Sequence, residues 1–341
     1  MELELGIDTF GDVTSGPTGA PLTHAQVIRN LVAEAVTAEE AGLDAFGIGE
    51  HHRDDFAVSS PEMVLAGIAT RTSRIHLTSA VTVLSSDDPV RVFERFSTLD
   101  ALSNGRAEVI VGRGSFTESF PLFGFDLADY QELFEEKLAM FVALREQGPV
   151  TWDGTLTQSL PGVEVFPPVE HAPLRTWVAV GGSPESVIRA ARHGLDLMLA
   201  IIGGAADRFA PFADLHRRAL EQLGQPPRRI GFHSFGHVAA TDEAAIEQYY
   251  QPYVKSMTRI GRERGWRRPT RESFMYELEH GSMAVGSPET VARKVAAGVK
   301  ALGASRFSMK VSTGPLSHER ISESIELFGS QVAPLVRDML A

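Results

Sequence analysis

The sequence has no cysteine. Disulfides, thiolate nucleophiles, cysteine-bound zinc and iron–sulfur clusters are therefore excluded, and any redox chemistry needs a bound cofactor. It also has no apolar run approaching the roughly 18 residues of a membrane helix, although 43% of its 341 residues are hydrophobic. Basic charge is short as well. The net charge is −12, which opposes wrapping a phosphate backbone, because sequence-independent nucleic-acid affinity needs a Lys/Arg surplus. The one basic cluster, "GRERGWRRPTR" from Gly261, reads as a solvated helix end followed by a turn. No basic segment precedes the first apolar stretch of "MELELGIDTF", so a secretory signal is not expected and the cytoplasm is the expected location. The expected partner is a small organic molecule rather than nucleic acid or a membrane.

What is present is a rhythm. Eight strand-like runs alternate with helical segments: "ELELGID", "DAFGIG", "IHLTSAVTVL", "RAEVIVGRG", "TWVAVGG", "LDLMLAII", "RRIGFHSFGHVAA" and "ASRFSMKVST". The helices between them carry recognisable starts and stops, such as Thr23 before and Gly42 after the first, or Ser60 and Pro61 opening the second. Eight strands and eight helices in one chain are the arithmetic of a (β/α)8 TIM barrel, expected here as a single domain over residues 1–341. An open doubly wound sheet is disfavoured, because "GIDTFGDVTSG" after the first strand has the wrong glycine spacing for a dinucleotide fingerprint and no immediate helix. Two stretches break the rhythm and are expected as rim insertions. One is a hairpin at about 148–175 centred on Asp153-Gly154; the other is an irregular segment at about 240–286.

In a barrel the C-terminal strand ends point into the mouth where active sites form. The second run ends in Glu50, His51 and His52, the fourth in Gly112, Arg113, Gly114 and Ser115, and the fifth in Gly181, Gly182 and Ser183. An imidazole at a mouth serves as acid, base or hydrogen-bond donor near neutral pH. In an extended segment only one of the adjacent His51 and His52 is expected to face the centre. A metal site built on Glu50, His51 and His237 is a rival reading, and a polar strand end is the plain one. Arg113 between two glycines suits phosphate oxygens or a carboxylate, or is simply a loop arginine. "GGSPES" reads two ways as well. Its glycines, Ser183, Ser186 and the following helix N-terminus suit a phosphate, yet N-cap serine and N1 proline alone make a good turn. The near copy "VGSPETVARKVAAG" carries the same capping chemistry elsewhere.

With "GEHH", "TSAVTVLSSDDPVRVFERFSTLDALSNGRAEVIVGRGSF", "WVAVGGSPESVIRAARHGLDLML" and "VGSPETVARKV" in this order, the chain resembles the bacterial luciferase-like family of flavin-dependent monooxygenases, nearly end to end. The family also has cousins that use the deazaflavin F420. The resemblance implies a TIM barrel that binds reduced FMN, delivered by a separate flavin reductase, and uses oxygen to oxygenate a small organic substrate. An F420-dependent hydride transfer and a non-catalytic flavin-binding role are the alternatives it leaves. It implies His51 as the catalytic histidine and a non-prolyl cis peptide at Ala80-Val81 beneath the flavin ring. It implies Arg113, with Gly112 and Gly114, beside the flavin phosphate, and Gly181, Gly182, Ser183 and Ser186 as the phosphate loop. A homodimer is expected by the same resemblance. Luciferase carries an acidic residue where this chain has Gly182, a tryptophan at about Ile201 and a reactive cysteine at Gly112; the last two differences argue against light emission and aldehyde substrates.

Overall fold

Capping residues and strand alternation divide the chain into elements, and a computed structural model, which describes residues 2–114, 116–170 and 173–341, shows how they assemble. The strands are β1 (Glu4–Thr9), β2 (Ala45–Ile48), β3 (His76–Ser79), β4 (Thr82–Val83), β5 (Ala107–Gly112), β6 (Val150–Trp152), β7 (Leu160–Val163), β8 (Arg175–Val180), β9 (Asp196–Ala200), β10 (Ile230–Val238), β11 (Ala284–Gly286) and β12 (Arg306–Lys310). Eight pair in parallel in the order β1, β2, β3, β5, β8, β9, β10, β12, and β12 returns to β1. The sheet therefore closes, and the fold is the (β/α)8 barrel. The short β4 pairs with β5 beyond the end of β3, and β11 pairs with the far end of β10.

The helices are α1 (His24–Glu40), α2 (Pro61–Ala69), α3 (Pro89–Ser103), α4 (Ser119–Phe123), α5 (Tyr130–Arg145), α6 (Pro184–Arg192), α7 (Ala210–Gln222), α8 (Asp242–Arg264), α9 (Arg271–His280), α10 (Pro288–Leu302), α11 (His318–Leu327) and α12 (Ala333–Leu340). Polar residues just before them turn the chain from extended to helical. Thr23 accepts from the Gln26 N–H, Asp88 from those of Val90 and Arg91, and Ser287 from that of Thr290. Such caps are each worth about 1 kcal/mol.

Side-chain alternation then sorts the strands into two layers. Leu5 and Ile7 of β1, Val109 and Val111 of β5, and Val178 and Val180 of β8 face the helices and join the main core. Their neighbours Ile110, Trp177 and Ala179, with Met198, fill the barrel interior. Below them the floor is ionic. Arg306 donates to Glu4 at 2.8 Å and to Glu108 at 3.0 Å, Arg175 donates to Glu4 at 2.9 Å, and the indole of Trp177 donates to Glu108 at 3.2 Å. Burial pushes the Glu108 carboxyl up, but the charges of Arg306 and Arg175 outweigh it and bring it down to about 2.

The two insertions differ from expectation in form. Strands β6 and β7 make an antiparallel hairpin, but residues 153–159 form its connection, so Asp153-Gly154 begins the turn rather than centring it. The hairpin leaves the α5–β8 connection, on the face opposite the mouth. Glu136 of α5 accepts the N–H groups of Thr155, Leu156 and Thr157, and Gln158 donates to Asp88 at 3.0 Å, which lays the loop along the outside of α5. The second insertion is helical, not irregular: it contains α8 and α9. Helix α8 buries only Ala245, Tyr249, Val254 and Gly261 and contains Pro252, so its apolar stripe is too thin to read from periodicity.

The floor generates a prediction. Removing one partner of a buried ion pair costs about 3–5 kcal/mol, so E108Q should lower unfolding free energy by about that much at neutral pH. Glu108 titrates lower when folded than its ordinary 4.5. Its stabilisation is therefore complete above about 4.5 and is lost as pH falls towards 2. Urea unfolding of both proteins should show a gap that narrows across that window.

Candidate active site at the barrel mouth

The C-terminal strand ends surround a cavity of about 310 Å³. Its shape begins with Glu50, which follows β2. The Glu50 N–H donates to the Val81 carbonyl at 3.2 Å, and its carboxylate accepts from the Val83 N–H at 2.8 Å and pairs with His52 Nε2 at 2.9 Å. These bonds fasten the end of β2 to the bend between β3 and β4. At that bend the Ala80–Val81 peptide is cis. Neighbouring strands leave it room by having no side chain: a Cβ at Gly112 would meet Val81 Cγ2 at 2.9 Å, and one at Gly49 would meet the Ala80 carbonyl at 2.9 Å.

His51 is placed by its N–H, which donates to the Val58 carbonyl at 2.9 Å. Its ring stacks on Phe56 with centroids 4.2 Å apart, and lies 4.8 Å from Phe10 and 5.4 Å from Phe116. Nδ1 is buried and, among the described residues, has no hydrogen-bond partner. Burial pushes the imidazole down to about 3, against the opposing charge of Asp12, so His51 is neutral at neutral pH. Both His51 and His52 line the cavity, contrary to the expected alternation; they lie beyond β2, which ends at Ile48, so the strand's pairing does not fix their faces. Their chemistry still differs: His52 is committed to Glu50. Arg53 secures the same segment, donating to Asp55 at 2.9 Å, to Glu118 at 2.6 Å and to Glu263 of α8 at 2.7 Å.

Arg113, Gly112 and Gly114 line the cavity together with Ala80 and Val81. The half-buried Arg113 guanidinium stands 5.2 Å from the centroid of the Tyr130 ring and, among the described residues, pairs with no carboxylate. Tyr130 donates to the Gly114 carbonyl at 3.1 Å, and burial raises its hydroxyl above the ordinary range. Gly181 also lines the cavity, with nothing within 4 Å of where its Cβ would sit. Gly182, Ser183 and Ser186 lie outside the lining. Ser183 caps α6, accepting from the Ser186 N–H, and donates to Glu185 at 2.7 Å, while the Ser186 hydroxyl lies 3.3 Å from that of Ser183. Ser115 lies outside the described residues.

His237 does not join Glu50 and His51. It bonds Gln248 at 2.8 Å and stacks on Tyr249, and the described residues contain no group of three or more His, Asp or Glu arranged to hold a metal ion. Ile201 is wholly buried; Ile202 is the residue that reaches the cavity. An adjoining recess of about 40 Å³ shares Phe10, Phe116, Ile202 and Phe235 with the main cavity and adds Ser256, Met257 and Ile260 of α8. The α8 insertion thus reaches the mouth, and the hairpin contributes to neither space. Sequence reasoning missed Asp8, Phe10, Tyr130 and the role of His233. Asp8 carried a signal, since it is a carboxylate near the C-terminal end of an apolar strand.

Residues 7–306 match the family described as luciferase-like monooxygenase. The chain belongs to that family. It is 25% identical over 345 residues to the alkanal monooxygenase alpha chain of Photobacterium leiognathi, covering 93% of this chain and 95% of that one. Among solved structures, monooxygenase RslO1 from Streptomyces bottropensis is similar with a TM-score of 0.85 at 22% identity, covering 97% of this chain and 99% of that one. The oxygenating constituent of 3,6-diketocamphane monooxygenase from Pseudomonas putida, in complex with FMN, gives 0.77 at 19%, covering 98% and 99%. An F420-dependent secondary alcohol dehydrogenase with a bound F420–acetone adduct gives 0.74 at 17%, covering 99% and 100%. Solved barrels similar to this one thus include both an FMN and an F420 protein.

The enclosure of His51 is directly measurable. Its Cε1–H resonance should stay nearly constant from about pH 8 to about pH 4, whereas an open ring would titrate near its ordinary value of 6.5. Because the unfolded chain takes up that proton and the folded ring does not, His51 lowers stability as pH falls from about 6.5 towards 3 and has no such effect above.

Proposed function

We propose that this luciferase-like protein is a flavin-dependent monooxygenase that takes reduced FMN from a separate reductase and oxygenates a small organic substrate with molecular oxygen. The observation that carries this reading is Arg113, a guanidinium at the cavity wall that forms no salt bridge among the described residues, its charge reaching Glu185 of α6 only through space. An unpaired guanidinium is suited to phosphate. The cavity fits the remainder of such a cofactor, because the wall formed by Ala80, Val81 and Gly112 is bare of polar side chains and Gly181 is open. Arg113 would hold the phosphate, with the backbone at Gly114, Gly181 and Gly182 close by. Ser183 and Ser186 would contribute by turning from the α6 cap.

Bound reduced flavin supplies the electrons that activate oxygen. The chain supplies the surroundings. Phe10, Phe56 and Phe116 pack against His51 and keep water from its ring, and the neutral imidazole offers one N–H and one lone pair to a reacting oxygen atom. Glu50 and His52 hold the His51 segment in position. A homodimeric, cytoplasmic state belongs to the same proposal.

The test is binding followed by turnover. Anaerobic titration with reduced FMN, with reduced F420 as the comparison, followed by oxygen uptake in the presence of candidate substrates, distinguishes oxygenation from hydride transfer and from mere binding. R113A should weaken FMN binding about 10- to 100-fold, the equivalent of one charge-assisted contact of about 1.5–3 kcal/mol. H51A should keep the affinity within a few fold and lower turnover by about 100-fold or more. FMN affinity indifferent to R113A would remove the reading.

A further inference from the structure

A second histidine faces the cavity with a carboxylate behind it. Asp8 lies near the end of β1 and His233 lies within β10, two strands that are not neighbours, since β12 runs between them. Their side chains meet across it. His233 Nδ1 and Asp8 Oδ2 are 2.7 Å apart, and both residues are buried, with 9% and 2% of their surface exposed. The β12 residue in register with His233 is Ser308, small enough to leave that space open. The imidazole lies nearly parallel to Phe10, 9° between planes and 5.8 Å between centroids, and 6.4 Å from Phe235. Asp8, His233, Phe10 and Phe235 all line the cavity.

The carboxylate at Nδ1 holds the ring proton there and leaves Nε2 as the side with the lone pair. Among the described residues Nε2 makes no hydrogen bond. Asp8 Oδ1 is buried and also has no partner. Leaving Asp8 Oδ1 unmatched costs about 1–3 kcal/mol, more than a pair that served only to join two strands would need to spend, while Nε2 belongs to a residue of the cavity lining. The charged groups nearby are otherwise committed. Lys310 of β12 stands over the rings of Phe10 and Phe235 and is held by Asp12 at 2.9 Å, and Arg306 is locked into the floor with Glu4 and Glu108. His51, the other histidine that touches Phe10, is enclosed by phenyl rings and has no carboxylate bonded to its ring.

We propose that His233, oriented by Asp8, is the base that ionises the substrate, and that the substrates are apolar, largely aromatic molecules bearing one weakly acidic hydroxyl, such as phenols or stable enols. In the step, the substrate O–H bond breaks and an Nε2–H bond forms. The resulting imidazolium stays paired with the Asp8 carboxylate, and the substrate is left as an oxyanion against the phenyl rings. Conjugation of that oxyanion enriches the adjacent carbon in electrons, the form that accepts an oxygen atom. To that extent the inference rests on the oxygenating reading above; the proton transfer does not. His233 touches the substrate, and Asp8 positions it.

The test needs no flavin, so its outcome is separate from that of FMN binding. Para-nitrophenol, whose phenolate absorbs apart from its neutral form, is titrated into the purified protein at a pH below the probe's own pKa. The bound probe should show the phenolate band. H233N should abolish the band, and D8N should reduce the bound phenolate fraction about tenfold, with circular dichroism and a cooperative thermal unfolding transition reporting that both variants are folded. The methyl ether para-nitroanisole, which has no proton to give, should bind with an affinity that D8N and H233N leave within a few fold. A probe that fails to bind, binds only in its neutral form, or keeps its phenolate band in H233N overturns the proposal.

Discussion

The barrel mouth depends on the carboxylate of Glu50. Through that side chain and its own N–H, Glu50 connects the end of β2 to Val83 of β4 and to Val81 at the β3–β4 bend, and holds His52 as well. The bend supplies one wall of the cavity, and the segment that Glu50 begins supplies His51. A neutral amide in its place would still accept one hydrogen bond, but would lose the charge-assisted contact on which both neighbours converge. The glycines around the bend matter for the complementary reason. Gly49 and Gly112 keep two adjacent strands from occupying the space into which Glu50 draws the backbone.

Charge is arranged differently at the two ends of the barrel. On the floor, Glu4, Glu108, Arg175 and Arg306 satisfy one another within a few ångströms, which makes that end rigid and chemically inert. At the mouth, groups stand singly or in pairs with one atom unused: Arg113 over a phenol ring, His51 among phenyl rings, Asp8 with one oxygen unmatched. A stable scaffold below and unsatisfied groups above is the division expected of a site that completes itself only when a ligand arrives.

Much of this was legible in the amino-acid order. Strand alternation and helix caps are local signals, so the eight βα units and the position of His51 at a strand end could be read directly. Helix α8 could not, because its packed stripe is thin and Pro252 interrupts the pattern. Ser183 and Ser186 remained ambiguous because a serine that caps a helix and a serine that binds phosphate occupy the same sequence position. The pairing of Asp8 with His233 was invisible for a different reason. It depends on which strands flank β12 and on how small Ser308 is, and both are properties of the closed sheet rather than of any segment.

Arg53 gives the mouth a constraint of its own. It stands two positions after His51 and holds Glu263 near the end of α8, while Arg259 of the same helix reaches Asp55 at 3.1 Å. Another part of that helix lines the recess with Ser256, Met257 and Ile260. One helix therefore bears on the mouth by two routes. A side chain changed at Ser256, Met257 or Ile260 reshapes the recess directly, whereas one changed at Glu263 or Arg259 acts at a distance, by loosening Arg53 and Asp55 in the segment that carries His51.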